Sequence, residues 1–524
     1  MNDNPLQTNI PYPKSEWKQP RNLAVPIGLL DIPHAQKQEP YLFDLEEASH
    51  TALHGSAGFG KSTVLQTLAM NLARQNTPEQ VQFNLLDFGT NGLLPLKDLP
   101  HVVDIAPLEH VEKVNKFVRR IRTELSERKE RFTEVGVASI SQYEAKTKEN
   151  LPIILTLVDG YDSIRENPLE DVVESTLNQL LRDGASVGMY LILTGLRADT
   201  FRASMVSNIP TRMSLFLVEE NAVKDVVGRD ALIAEEINGR GQIKEETPLA
   251  IQFYLSTQGE SDLERLQALE NEMKEMDEEW SGARPRPIPM VPRILTRSDF
   301  FEREEVQAYL SEGNIPLGLD LETTDVVGYK PREHAYFLIA DNEPSQTEYL
   351  EYILLECFRK LAGTYRRIVW DGQEKYGAEK EAFDKRVIPD NYMSYTEEIL
   401  EEFEERLDEK DESHEPMLHY ISDLSAFTNS SLIQEGKLRK LLREGKTVGM
   451  YFLFHGEKPK MDLAYDDVTK LLRSISSEGL VGSRMCEQGY VKVKVNLAEP
   501  LVEHNQHHYF AKRRINRIKL ASED

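Results

Sequence analysis

The sequence predicts an α/β chain of two tandem units, each a mostly parallel sheet with helices on both faces. Three observations carry this prediction. Residues 81–87, 153–159 and 189–194 are apolar runs too continuous for half-exposed strands, so they read as central parallel strands. Helical stretches alternate with them, as a doubly wound sheet requires. The second half also replays the first: residues 441–451 match residues 180–190 over eleven positions without a gap. Ile315-Pro316-Leu317-Gly318 likewise echoes Val25-Pro26-Ile27-Gly28. The offset is 290 between Pro26 and Pro316 but 261 between Val187 and Val448, so the second copy is internally shorter.

Residues 1–23 are polar and punctuated by Pro11, Pro13 and Pro20, and read as a lead-in to a first unit spanning 24–258. Within it, Gly55-Ser56-Ala57-Gly58-Phe59-Gly60-Lys61-Ser62-Thr63 has the G-x-x-x-x-G-K-S spacing of a phosphate-binding P-loop. Its glycines let successive N–H groups point at phosphate oxygens. Lys61 supplies a cation for the β- and γ-phosphates, and Ser62 a hydroxyl for Mg²⁺. The context agrees. His50–His54 reads as a strand, and Val64, Leu65, Leu68, Ala69 and Leu72 recur at helical spacing after the loop. These residues form a candidate ATP site.

Residues 81–87 end in the carboxylate of Asp87, and residues 109–132 form a long amphipathic helix. Asp159, ending the strand 153–159, is the expected second Mg²⁺ ligand beside Ser62. Hydrolysis also needs a group that positions water. The residue after Asp159 is Gly160, so Asp162 is the candidate replacement, displaced by two positions. Thr194 ends the next strand, where a hydroxyl can sense the γ-phosphate. Arg197, Arg212, Arg229 and Arg240 are candidates for reaching a neighbouring subunit's phosphate.

Composition bounds the rest. The chain has 524 residues, 40% hydrophobic and 29% charged, as soluble globular proteins do. No apolar run approaches the ~20 residues that cross a bilayer, and the first residues lack a signal pattern. Both point to a cytosolic chain. Two cysteines, Cys357 and Cys486, rule out a disulfide framework. A net charge of −26 argues against general nucleic-acid binding. The acid concentrates in 260–279 and 397–415, read as solvated helix faces. His504, His507 and His508 read as surface histidines, and Lys512, Arg513, Arg514, Arg517 and Lys519 as one face of a terminal helix.

Residues 259–292 pass from charged to proline-rich (Pro285, Pro287, Pro289, Pro292) and read as a connector. A second unit then spans 293–524. Where the repeat predicts a P-loop, it has Ala340-Asp341-Asn342-Glu343-Pro344-Ser345-Gln346-Thr347. Ser345 and Gln346 stand in place of Gly60 and Lys61, so the phosphate-facing cation is missing. Asp341 and Glu343 add like charge to a triphosphate, and Asp423 matches the position of Asp159.

The P-loop, the strand ending at Asp159, the segment 188–194, Pro210-Thr211-Arg212 and Gly239-Arg240-Gly241-Gln242 resemble FtsK/SpoIIIE-type motor ATPases, in that order. The tandem with a degenerate last copy resembles the C-terminal part of the EssC/EccC branch, the membrane-anchored ATPases of type VII secretion. The resemblance implies two RecA-like P-loop domains and Mg²⁺ and ATP as ligands. It also implies a cytoplasmic setting, upstream membrane-anchored ATPase domains and a homo-hexameric assembly. Small helical-hairpin secreted proteins of the WXG type and other secretion-complex subunits are the implied partners. Gly160 and Gly195 depart from the Asp-Glu and Thr-Gln pairs of DNA-pumping relatives, so the reading is a module that binds ATP and cleaves it slowly or not at all. The second unit then serves substrate recognition or regulation. The alternative is an FtsK/SpoIIIE-type DNA translocase, against which the acidic balance and the degenerate second copy stand.

Overall fold

A computed structural model describes residue 17 and residues 20–219, 221–409, 413–494, 499–512 and 514–522. The lead-in 1–23 and Arg513 thus lie largely or wholly outside the described residues. The chain divides into two compact units, Met1–Ile288 and Pro289–Asp524.

The first unit is a ten-stranded sheet: β1 (Ala24–Ile32), β2 (Lys37–Asp44), β3 (Thr51–His54), β4 (Val81–Asp87), β5 (Val102–Pro107), β6 (Ile153–Asp159), β7 (Met189–Gly195), β8 (Thr211–Leu215), β9 (Arg240–Lys244) and β10 (Pro248–Phe253). Their order is β2-β1-β10-β9-β8-β3-β7-β6-β4-β5. Every pairing from β8 to β5 is parallel, and every pairing from β2 to β8 antiparallel. The sheet is therefore mixed: a parallel half carries the expected central strands, and an antiparallel half extends it. β6 and β7 are buried at every position, as their unbroken apolar runs require.

The charged stretch 262–279 does more than connect. As helix Asp262–Glu279 it buries Leu269, Met273 and Met276 in the first unit, and Glu272 pairs with Arg74 at 2.7 Å. The start of the proline-rich segment behind it is held to the same unit by the Arg120 guanidinium, which donates to the Pro287 carbonyl at 3.0 Å.

The second unit has β11 (Ile315–Asp320), β12 (Val326–Tyr329), β13 (Tyr336–Asp341), β14 (Arg366–Trp370), β15 (Lys385–Val387), β16 (Met417–Ile421), β17 (Met450–Glu457), β18 (Glu478–Val481), β19 (Gln506–Ala511) and β20 (Arg514–Lys519). Its order, β12-β11-β20-β19-β18-β13-β17-β16-β14-β15, has the same connection pattern. Apolar clusters cover both sheet faces, one around Phe337, Phe358 and Tyr420, the other around Trp370, Phe403 and Phe454.

Two expectations about the C-terminus fail here. The basic tail is a β-hairpin, with β19 antiparallel to both β18 and β20, and no terminal helix forms from its described residues. His507 and His508 lie on β19, inside the sheet, and are 0% and 4% exposed.

Glu478 on β18 is only 2% exposed. Tyr509 Oη donates to its Oε1 at 2.7 Å, while Oε2 is buried without a hydrogen bond among the described residues and lies 3.6 Å from His334 Nε2. Burial, ahead of the nearby Glu333 charge, pushes its carboxyl up to about 7. A carboxyl raised in the fold contributes stability below its ordinary pKa and loses it as pH rises through the raised value. The second unit's melting temperature is thus expected to fall between pH 5 and 8, and less so in E478Q. An unchanged slope in E478Q would refute this assignment.

Candidate functional site

The P-loop leaves the C-terminal end of β3 as residues 55–60 and turns into helix Lys61–Gln75. It is pinned at its start, where Gly55 N donates to Gly195 O at 3.0 Å and Ser56 N to Phe216 O at 2.8 Å. Gly58 and Gly60 have φ of 84° and 101°, left-handed conformations that side chains resist. No atom lies within 4 Å of where a Gly58 Cβ would sit, so the space beside this residue is open. The helix N-terminus faces the loop with its dipole and free N–H groups. Lys61 Nζ donates to Ser56 O at 3.0 Å, and burial holds its ammonium below the ordinary lysine value.

Ser62 Oγ, in the first helical turn, donates to Asp159 Oδ2 at 2.5 Å. The other oxygen, Oδ1, accepts from Thr194 Oγ1 at 2.6 Å, and Thr194 Oγ1 accepts in turn from Gly160 N at 2.9 Å. Thr194 is fully buried and grips Asp159, so in this conformation its hydroxyl is engaged by the carboxylate. Ser62 and Asp159 bring one hydroxyl and one carboxylate together at the loop. This donor set fits Mg²⁺, which keeps several waters and takes one or two protein oxygens.

The other residues singled out in the sequence are spread around this centre. Asp162 clamps the loop after β7: its Oδ1 accepts from Thr200 Oγ1 at 2.6 Å and its Oδ2 from Leu196 N at 2.8 Å. Arg212 donates to Asp225 O and Ala198 O, and Arg240 to Gln252 and Glu235, so both bind within their own unit. Arg197 pairs with Asp199 at 3.4 Å with its side chain 62% exposed, and it borders a depression that also includes Ser56.

Sheet register fixes the corresponding places in the second unit. Leu53 pairs with Thr194, and Ile339 with His455, so His455 replaces Thr194 and Asp341 takes the place of Gly55. Val158 pairs with Leu193, and Ile421 with Phe454, so Ser422, and not Asp423, matches Asp159. Asp423 caps helix Leu424–Ser430 by accepting from Ala426 N at 3.1 Å.

The cradle itself is gone. Only Asn342 and Glu343 separate β13 from helix Pro344–Lys360, against six residues in the first unit. Gln346 is buried in the gap, donating from Nε2 to Gly482 O at 2.9 Å and accepting Asn342 N at 2.7 Å. Asp341 does not stand as an open negative charge either. It is 1% exposed and accepts from His455 Nε2 at 2.5 Å and His507 Nε2 at 2.7 Å. Burial alone would raise its carboxyl, but the two imidazoles more than offset this and hold it well below the usual range. His455 Nδ1 continues the chain to Tyr420 Oη at 2.8 Å. The sequence reading missed this cluster. Extending the 261-residue offset from Thr194 would have found His455, but nothing local marks His507.

Comparison with known proteins bears out the family resemblance and the tandem fold. Residues 14–241 match the FtsK/SpoIIIE family. Over 95% of its length the chain is 27% identical to the type VII secretion system protein EssC of Staphylococcus aureus. It spans about a third of that relative, covering 34% of it. Across 67% of the chain, identity to the ESX secretion system protein EccC of Geobacillus thermodenitrificans is 34%, covering 23% of that protein. The solved structure of EssC ATPases 2 and 3 from the same species superposes with a TM-score of 0.85, at 26% identity, covering 99% of this chain and 100% of the other.

Proposed function

Because the chain carries an FtsK/SpoIIIE-family domain at residues 14–241 and has the fold of EssC ATPases 2 and 3, we propose that it is the nucleotide-responsive part of a type VII secretion motor. The first unit binds one Mg-ATP and turns it over slowly or not at all. Its P-loop backbone and Lys61 take the phosphates, and Ser62 with Asp159 holds the metal, which when bound neutralises phosphate charge. The second unit binds no nucleotide and offers its surface to a secreted protein or to another secretion-complex subunit. The motor that it would serve is membrane-anchored, as the resemblance to the EssC/EccC branch implies.

The observation that carries this reading is the contrast between the two units at one place in one fold. The first keeps an open six-residue loop with a lysine, and the second fills a two-residue loop with Gln346. Calorimetric titration with Mg-ATP is expected to give one site per chain. Two sites, or none, would overturn it.

A further inference from the structure

We propose that Asp87 holds the attacking water when ATP is hydrolysed in the first unit, a role that the residue after Asp159 cannot take. The inference rests on Mg-ATP binding at the P-loop and adds the group that acts on it.

Position 160 is closed to side chains. Gly160 has φ of 72°, and a Cβ there would lie 2.8 Å from both Gly89 Cα and Gly89 N. A carboxylate-bearing residue would have to move this backbone and strain its own. The catalytic carboxylate must come from elsewhere, and the next strand supplies one. Asp87 ends β4 in direct register with Asp159 at the end of β6. It is 2% exposed.

Its two oxygens differ. Oδ2 accepts from Leu93 N at 2.9 Å and so anchors the loop 88–93. Oδ1 is buried and makes no hydrogen bond of good geometry among the described residues, although the nearby Gly89 N–H favours the carboxyl's charged form. A buried carboxylate oxygen left unpaired is costly, so such an atom calls for a partner that arrives later. Its surroundings show where. A Cβ built on Gly89 lies 3.7 Å from Asp159 Oδ2 and 3.8 Å from Asp87 Oδ1. The two carboxylates thus border one small space that the missing side chain leaves open, next to the Ser62–Asp159 pair.

The second unit provides an internal control. Leu86 pairs with Val158 and Trp370 with Ile421, so Asp371 is the counterpart of Asp87. In that unit, where Gln346 fills the nucleotide site, Asp371 is satisfied. Its Oδ1 accepts from Lys375 N at 3.0 Å, and its Oδ2 from Tyr376 N at 2.9 Å and Arg386 Nε at 2.7 Å. The carboxylate is left incomplete only in the unit that keeps its P-loop.

With ATP in the cradle, Asp87 Oδ1 accepts a hydrogen bond from a water and turns its lone pair toward the γ-phosphorus. The water oxygen bonds to that phosphorus as the bond to the β,γ-bridging oxygen breaks. ADP leaves, and the proton departs with inorganic phosphate. Positioning of this kind contributes roughly 10²–10⁴-fold in rate.

The test is D87N in the full chain. Asparagine keeps one oxygen for the Leu93 N–H and so preserves the loop anchor. At the free position it puts an amino group, which cannot accept from water. Affinity for Mg-ATP, measured with a fluorescent analogue, is expected to stay within about threefold of wild type. Single-turnover hydrolysis is expected to fall about 100-fold or more. Affinity for Mg-ADP with aluminium fluoride, which mimics the phosphoryl group in flight with its water, should fall at least about tenfold. Hydrolysis within threefold of wild type would overturn the proposal. So would a parallel loss of ATP affinity, which would make Asp87 a loop anchor alone. A wild type that binds Mg-ATP but neither cleaves it nor takes the aluminium fluoride complex overturns the role of Asp87 and leaves the binding site standing. A wild type that binds no Mg-ATP refutes the site itself, and this role with it.

Discussion

Replacing Asp341 with alanine is expected to destabilise the second unit by about 3–5 kcal/mol, the usual cost of removing one partner from a buried ionic cluster. Asp341 is the only carboxylate that both His455 and His507 reach among the described residues, and all three side chains are at most 2% exposed. Without it, the buried His455 imidazolium stands unpaired or must become neutral. The pH dependence discriminates. Burial pulls the His455 imidazole down, but Asp341 more than reverses this, so its pKa lies above the ordinary value. Its contribution is therefore present below about pH 6.5 and is lost as pH rises through the raised value. The Asp341 carboxyl, held low, keeps its contribution until strongly acid pH. The cost of D341A should thus be greatest near pH 5–6 and shrink above pH 8. Calorimetry with saturating Mg-ATP separates the two units, because the ligand raises only the first unit's transition. A cost below about 1 kcal/mol at pH 6 would mean that the cluster is not what holds the vacated site closed.

Much of the parallel half of each sheet was legible in the sequence because its signals are local. A strand buried on both faces announces itself, as residues 153–159 do, and the P-loop is written into six loop residues and a lysine. The antiparallel half was not legible. β1 pairs with β10 across more than two hundred residues, and β2 has no clean alternation to mark its buried face. The same physics explains the histidines. His507 and His508 lie among polar residues, and only the pairing of β19 between β18 and β20 buries them. Asp423 was assigned from residue type, whereas sheet register points one residue earlier, to Ser422. The acidic helix Asp262–Glu279 was read from charge alone, although Leu269, Met273 and Met276 recur at helical spacing and are the residues it buries. At the candidate nucleotide site the sequence marked the loop, Lys61, Ser62 and Asp159, which the fold brings together. It could not mark the free oxygen of Asp87, because being unpaired is a property of the fold and not of the residue.

Replacing Lys61 with alanine is expected to weaken Mg-ATP binding about 100-fold, or about 3 kcal/mol. Lys61 now donates to a single neutral carbonyl, Ser56 O, and burial already works against its charge. Exchanging that neutral carbonyl for anionic phosphate oxygens adds the attraction of opposite charges to a hydrogen bond whose donor is already ionised. Alanine removes this gain but leaves the loop's N–H groups and the helix N-terminus, so residual binding should survive. The consequence for stability follows from linkage. At a nucleotide concentration of 100 times the wild-type Kd, ATP stabilises the first unit by about 2.7 kcal/mol. At a Kd 100-fold weaker, the same concentration gives only about 0.4 kcal/mol. The second unit's transition should not move in either protein. Nor should Q346K install a second site, because two residues between β13 and its helix cannot form a cradle that takes six between β3 and its own. A second transition that climbs with ATP, or a K61A protein that keeps the full shift, would show that the phosphates are held by something other than this loop and its lysine.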